Sequence, residues 1–220
     1  MRFFFDLIWV KLRFKQSLER IMKNVLVINS SLNQEKGNSN KLSQKLIERL
    51  QSAGHTSINQ RNLADTDLPH LTVEEMTAWG TAASARTVEQ TKLAALSDTF
   101  INEIQQADAI VIGMPMYNFG VPSTFKAWID RVARAGITFK YTETGPQGLL
   151  TDKKVYILAA RGGIYAGTPK DSQTQYLKDV FAFLGLTDVT FIYAEGLAMG
   201  GEAANKAWNS AEQSIERLSA

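Results

Sequence analysis

Apolar positions along this chain follow two alternating rhythms. Val25-Leu26-Val27-Ile28, Ile110-Val111-Ile112 and Val155-Tyr156-Ile157-Leu158 are unbroken apolar runs, the pattern of strands buried on both faces. Val189 to Ala194 is a fourth candidate strand, and the mixed, polar stretch Thr56 to Leu63 suits a sheet edge. Between these runs the spacing turns helical. Leu42, Leu46, Ile47 and Leu50 share one face, as do Leu96, Phe100, Ile101 and Ile104. Phe125, Trp128, Ile129 and Val132 repeat the pattern, then Tyr176, Leu177, Val180, Phe181 and Leu184, and finally Ala204, Ala207, Trp208, Ala211 and Ile215. Gly54 and Gly185 stand where helix C-caps are expected.

Strand and helix thus alternate about five times, which predicts an α/β fold with a parallel sheet covered by helices on both faces. With five strands and a polar second strand, the economical order is 2-1-3-4-5. Two stretches interrupt the alternation. Asp65 to Gln90 reads as an excursion with a short helix of its own, and Thr138 to Gly148 as a hairpin or lid before the fourth strand. Residues 22–220 form one domain on this reading. Residues 1–21 stand apart: Leu7, Val10, Phe14, Leu18 and Ile21 have helical spacing, but Lys11, Arg13 and Lys15 interrupt the apolar run. They read as a short basic amphipathic helix, as the product of a start placed upstream of the real one near Met22, or as a disordered tail. The run is too short to span a membrane.

Composition narrows the chemistry. The 220 residues are 45% hydrophobic and 21% charged, with a formal charge of +2, so nothing argues for a nucleic-acid surface. There is no cysteine, which excludes disulfides and thiol catalysis and agrees with a cytoplasmic location. His55 and His70 are the only histidines, too few for a histidine-rich metal centre.

The most informative passage is Met114 to Arg131, directly after an apolar run. A strand is expected to end at Gly113, a loop to present Pro115, Met116, Tyr117, Asn118 and Phe119, and a helix to begin with Pro122 in its first turn. In an open α/β sheet, ligands bind beyond such strand ends. Polar tips beside flat aromatic rings suit a planar cofactor, whereas a purely structural reading makes Met116 and Phe119 core and Tyr117 an ordinary surface residue. After the first strand, Asn29 to Asn40 is rich in small polar residues. Ser31, Asn38 and Ser39 would donate to a phosphate at a helix N-terminus, although a serine-capped helix that binds nothing has the same composition. The loop carries neither the P-loop nor the dinucleotide glycine pattern, so a monophosphate such as that of FMN fits better. After the fourth strand, Ala160-Arg161-Gly162-Gly163 supplies paired glycines that let a backbone approach a ligand; a structural turn would use them equally. All three loops surround one crevice in the 2-1-3-4-5 order.

Four segments, in order, carry a family resemblance. Pro115-Met116-Tyr117-Asn118-Phe119 with Pro122-Ser123, Lys126 and Trp128-Ile129-Asp130, then Val132 to Glu143, then Arg161-Gly162-Gly163, then Thr187-Asp188-Val189 with Ala194-Glu195-Gly196, resemble the FMN-dependent NADH-azoreductase/NADH:quinone oxidoreductase family. The resemblance runs from about Met22 to the C-terminus. It implies a flavodoxin-like three-layer sandwich and a homodimer with one FMN per subunit near the dimer interface. It implies ping-pong, two-electron transfer from NADH to quinones or azo compounds, with FMN performing the chemistry, and a role against electrophilic quinones. Ser31 and Gly37-Asn38-Ser39 would hold the FMN phosphate, Met116 to Phe119 would line the flavin ring, and Ala160 to Gly163 would meet its other edge. The loop departs from relatives over Leu32–Lys36, and the chain does so again between Thr77 and Arg86. Tyr141 and Phe183 are candidates for a wall of the substrate pocket, with core packing as their alternative role. Two other readings are a non-catalytic flavodoxin-type electron carrier and an NADPH-dependent flavin or chromate reductase.

Overall fold

The computed structural model describes residues 23–54 and 57–218, so the segment 1–21 lies outside the described residues. Strand β1 (Asn24–Asn29) leads through a short 3-10 turn at Gln34–Lys36 into helix α1 (Asn38–Ser52), and β2 (Ser57–Asn62) follows. Next come α2 (Val73–Gly80), a second 3-10 turn at Ala83–Ala85, and α3 (Val88–Gln106), then β3 (Ala109–Pro115) and α4 (Ser123–Val132). Strands β4 (Phe139–Thr142) and β5 (Gly145–Gly148) precede β6 (Lys154–Ala160), α5 (Ser172–Leu184), β7 (Asp188–Ala194) and α6 (Gly201–Glu216).

The main sheet has the order β2-β1-β3-β6-β7, parallel throughout. With the β4–β5 hairpin set aside, this is the predicted 2-1-3-4-5. Alternate residues of each central strand feed opposite faces, which gives three layers. Leu26, Ile28, Ile110, Ile112, Val155 and Ile157 pack against Phe100 of α3, Phe125 and Trp128 of α4, and Leu177 and Phe181 of α5. On the other face Val25, Val27, Val111, Leu158 and Ile192 meet Leu42, Leu46 and Leu50 of α1 and Ala211 and Ile215 of α6. Because every pairing is parallel, all five strands present their carboxyl ends at the same edge of the sheet.

Several boundaries differ from expectation. Strand β3 runs two residues past Gly113, to Pro115, because Met114 and Pro115 stay in register with Ala159 and Ala160 of β6. Pro122 is the N-cap of α4 rather than part of its first turn. The Thr138–Gly148 insertion is an antiparallel hairpin. It is no lid on this chain's own cleft: it packs against the far end of α5, so tightly that a Cβ on Gly148 would lie 2.0 Å from the amide nitrogen of Gly185.

The excursion after β2 does hold a short helix, α2, and polar contacts fasten it. Thr72 and Glu75 form a capping box at its start. The Glu75 carboxylate also takes a two-pronged ion pair from the fully buried Arg131 of α4, with Nε–Oε1 and Nη2–Oε2 distances of 2.9 Å. Arg86 and Arg134 converge on Asp98 of α3. Burial disfavours the charged form of Asp98, but hydrogen bonds from the two guanidinium groups outweigh it and hold the carboxyl below its ordinary range. Among the described residues, no helix is long and apolar enough to cross a membrane, and no group of His, Asp and Glu could hold a metal ion.

Candidate functional site

A cleft of about 240 Å³ opens at the carboxyl edge of β1, β3 and β6. Its walls come from all three predicted loops: Ser31, Gly37, Asn38 and Ser39; Pro115, Met116 and Tyr117; Ala160, Arg161 and Gly162. Asn33, Leu197 and Ala198 complete it.

The first wall is the start of α1. Gly37 is its N-cap, and no side chain caps the helix. The first-turn amides of Asn38, Ser39 and Asn40 therefore have no acceptor among the described residues, and they add to the positive end of the helix dipole. The loop is tight here: a Cβ on Gly37 would sit 2.2 Å from Ser31 Oγ. Ser31 and Ser39 are buried, with Ser31 Oγ accepting from the Asn33 amide at 3.3 Å.

The second wall is a two-residue turn. Tyr117 and Gly120 exchange backbone hydrogen bonds of 3.1 and 3.0 Å, and Asn118 and Phe119 between them both have positive φ, 50° and 66°. Glycine or asparagine normally fills such positions. A phenylalanine there is strained by about 1–3 kcal/mol and persists only where its surroundings enforce it. The turn aims Phe119 outward at 50% exposure, edge-on to Tyr165 with ring centroids 5.5 Å apart. Neither Met116 nor Phe119 is core, then, and Tyr117 is more than a surface residue, since its hydroxyl accepts the Leu32 amide at 3.1 Å and ties the second loop to the first.

The third wall is the turn after β6. The carbonyls of Arg161, Gly162 and Gly163 accept from the amides of Leu197, Ala198 and Gly196. Each trans peptide plane then turns the amide of the following residue the opposite way. Gly162 permits this docking, because a Cβ there would come within 3.3 Å of the Ala198 methyl. The Tyr165 ring covers Gly163, where a Cβ would meet its hydroxyl at 2.6 Å.

Arg161 is the surprise. Its backbone borders the cleft, but its side chain is fully buried and committed elsewhere. The guanidinium reaches Glu195 at 3.0 Å, Asp171 at 3.0 Å and Thr174 Oγ1 at 2.9 Å, and lies over the Tyr193 ring. Burial disfavours ionisation of Asp171, but the bonds from Arg161 and Thr174 prevail and hold its carboxyl below the ordinary range. Burial raises the Tyr193 hydroxyl, which pairs with Thr174 Oγ1 at 3.0 Å.

Tyr141 and Phe183 are not at this cleft. Tyr141 is 74% exposed on the hairpin, edge-on to Phe139, which contacts Phe183 at 4.2 Å between ring centroids. Phe183 lies near the end of α5 opposite Ser172, roughly 16 Å along the helix axis. Sequence reasoning missed Gln173, Asp171, Glu195 and the 196–198 segment. Asp171, three residues before Thr174 at the head of a helical pattern, is a legible N-cap signal; Glu195 and Gly196 stand in a segment that resembles the family, without a sign of their contacts, and Gln173, Leu197 and Ala198 carry no signal.

A family model described as a flavodoxin-like fold matches residues 23–218. A protein of Pseudoalteromonas atlantica named FMN-dependent NADH:quinone oxidoreductase is 52% identical over 197 residues, covering 90% of this chain and 98% of that one. A protein of the same name from Cellvibrio japonicus is also 52% identical over 197 residues, 89% of this chain and 98% of its own. Among solved structures, the azoreductase of Bacillus anthracis Sterne superposes with a TM-score of 0.80 at 29% identity, covering 88% of this chain and 97% of that one. An FMN-dependent NADH-azoreductase of Bacillus anthracis Ames Ancestor, solved with FMN, gives 0.78 at 29% identity over 90% of this chain and all, 100%, of its own. The match spans nearly the whole described chain and includes the segments that build the cleft: this protein belongs to the flavodoxin-like family of FMN-dependent NADH:quinone oxidoreductases and azoreductases.

Proposed function

We propose that this protein is an FMN-dependent NADH:quinone oxidoreductase with azoreductase activity, that FMN sits in the cleft at the carboxyl edge of the sheet, and that the enzyme works as a cytoplasmic homodimer. The observation that carries the site is the uncapped start of α1, whose first-turn amides meet the same cleft as the two other loops. A phosphate fits there on its own chemistry, since donors and helix dipole both favour an anion.

The residues present suit the rest of FMN as well. Asn38 and Ser39 would take the phosphate with their amides, helped by the Ser31 and Ser39 hydroxyls, with Gly37 keeping the approach open. Met116 to Phe119 would lie along the ring, and Ala160, Gly162 and Gly163 would meet its polar edge. Bound FMN supplies the redox chemistry, accepting a hydride from NADH and passing two electrons to the acceptor. The protein's share is orientation and electrostatics. Amides at Asn118, Gly162 and Gly163 would favour negative charge that develops on the ring during reduction. No carboxyl or imidazole lines the cleft among the described residues, so solvent would deliver the protons.

One chain supplies an incomplete enclosure. About 240 Å³ lies below the roughly 300–1,000 Å³ of ordinary small-molecule pockets, and Phe119 faces outward. Tyr141 and Phe183, too far to serve their own chain's cleft, would close the cleft of a second copy. The homodimer reading rests on that mismatch.

The test is direct. The purified protein should be yellow, release FMN on denaturation, and oxidise NADH with a soluble quinone without a partner reductase, giving parallel lines in double-reciprocal plots as donor and acceptor take turns at one site. Intersecting lines would reject the shared site. A requirement for a partner reductase would favour the electron carrier, and faster turnover with NADPH would reassign the donor.

A further inference from the structure

The loops that form the second and third walls of the cleft are held from behind by one piece of structure, the first turn of α5. Gln173 is 1% exposed, and its Nε2 donates to two carbonyls at once, Pro115 O and Gly120 O, both at 2.9 Å. Only the amide nitrogen can serve two acceptors, so these contacts also set which way the side-chain amide faces. Pro115 and Gly120 bracket the loop that carries Asn118 and Phe119 in their unusual backbone conformation. The neighbouring Ser172 Oγ donates to Phe119 O itself at 2.6 Å.

On the other side of the same turn, Asp171 caps the helix through the Thr174 amide at 3.0 Å and pairs with Arg161 at 3.0 Å. Arg161 in turn contacts Glu195 Oε1 at 3.0 Å, and that oxygen also accepts the consecutive amides of Tyr165 and Ala166 at 2.9 Å each. A carboxylate facing two successive amides and a guanidinium fills a small anion nest and pins the 161–166 turn. None of Gln173, Asp171 and Glu195 borders the cleft.

We infer that the Asp171–Thr174 turn is a bracket, and that Gln173 and Glu195 are positioning residues which set the two loops on either side of the flavin before it binds. The inference rests on the flavin site proposed above. Its consequence is that the FMN-free chain already holds the strained 117–120 turn and the 161–166 turn in place. Binding then need not spend interaction energy on ordering them.

The test uses the full-length protein with Gln173→Met, which keeps length without a donor, and Glu195→Gln, which keeps shape without the charge. FMN dissociation constants should rise about tenfold in each, the scale for losing two ordinary hydrogen bonds. Melting temperature of the FMN-free protein should fall by several degrees, because buried hydrogen bonds are lost, so affinity is measured where each variant is fully folded, which separates positioning from general destabilisation. Amide exchange of the FMN-free protein should quicken at Gly120 in Gln173→Met, and at Tyr165 and Ala166 in Glu195→Gln. Should Gln173→Met fail to fold, Ser172→Ala removes one surface donor and should still weaken FMN binding about threefold. Unchanged affinity and unchanged exchange in the variants would overturn the bracket. If wild type itself does not bind FMN, the flavin reading fails, and the exchange data alone then decide whether the bracket exists.

Discussion

The two edges of the sheet carry clefts of nearly equal size and opposite chemistry. At the amino edge, about 250 Å³ lies between β1, β2 and α3, lined by residues such as Asn24, Ser57, Asn59 and Glu103. There the backbone amides have acceptors. Asp108 accepts the amides of Lys23 and Asn24 at 2.9 and 3.0 Å, the Ser57 and Asp108 amides find the carbonyls of Lys23 and Asn24, and Arg61 clasps Glu103. At the carboxyl edge, the start of α1 has no cap and a phenylalanine is held at positive φ. Volume therefore does not mark the site. Donors left over after the fold has satisfied itself do, because a buried amide without an acceptor is costly unless a ligand supplies one.

The sharpest way to break this contrast is to fill the carboxyl edge. Gly37→Val drives a side chain into Ser31, where even a Cβ would approach Oγ to 2.2 Å, so FMN affinity should fall by about 100-fold or more in a fluorescence titration. A second change shows that stability and binding are separable. Arg131→Met strips the buried partner from Glu75, far from the loops, and should cost about 3–5 kcal/mol in denaturant unfolding, with FMN affinity of the folded fraction unchanged.

A third prediction concerns acid. Asp98 titrates below its ordinary value when folded, so its contribution is present above the unfolded value of about 4 and is lost as pH falls through the lower folded value. Asp98→Asn should therefore lower the melting temperature at pH 7, and the gap to wild type should close toward pH 3. Asp98 is partly exposed and screened, so this effect is smaller than that at Arg131. The smallest expected effect is none: Ser57→Ala at the amino edge should leave FMN affinity at the wild-type value.

The sequence carried the frame of this fold in its buried strands. Runs such as Val25 to Ile28 can face apolar layers on both sides only as central strands, and the polar second strand could lie only at an edge. The loops beyond β1, β3 and β6 were legible because small polar residues and paired glycines in such places answer to a ligand's needs. What could not be read was how the loops are held. Gln173 and Glu195 look like ordinary polar residues until the fold brings them 58 and 29 positions across the chain, to Pro115 and Ala166. The inward turn of Arg161 is invisible for the same reason, since its charged partners stand at the N-cap of α5 and just beyond β7. Tyr141 and Phe183 were candidates for a pocket wall, yet no periodicity states that the hairpin and the end of α5 bring them together through Phe139, away from their own chain's cleft. The end of β3 slipped because Pro115 closes its strand by pairing with Ala160, a long-range contact that overrides the local signal of Gly113.

The central claim is that FMN binds where unsatisfied amides remain, and backbone amide shifts during an FMN titration of the isotopically labelled protein test it most directly. The account predicts saturable shifts at one equivalent per chain, largest for Asn38, Ser39, Asn118, Gly162 and Gly163, with Asn24, Ser57 and Asn59 unmoved. Shifts centred on the amino edge, or none at saturating FMN, would contradict it.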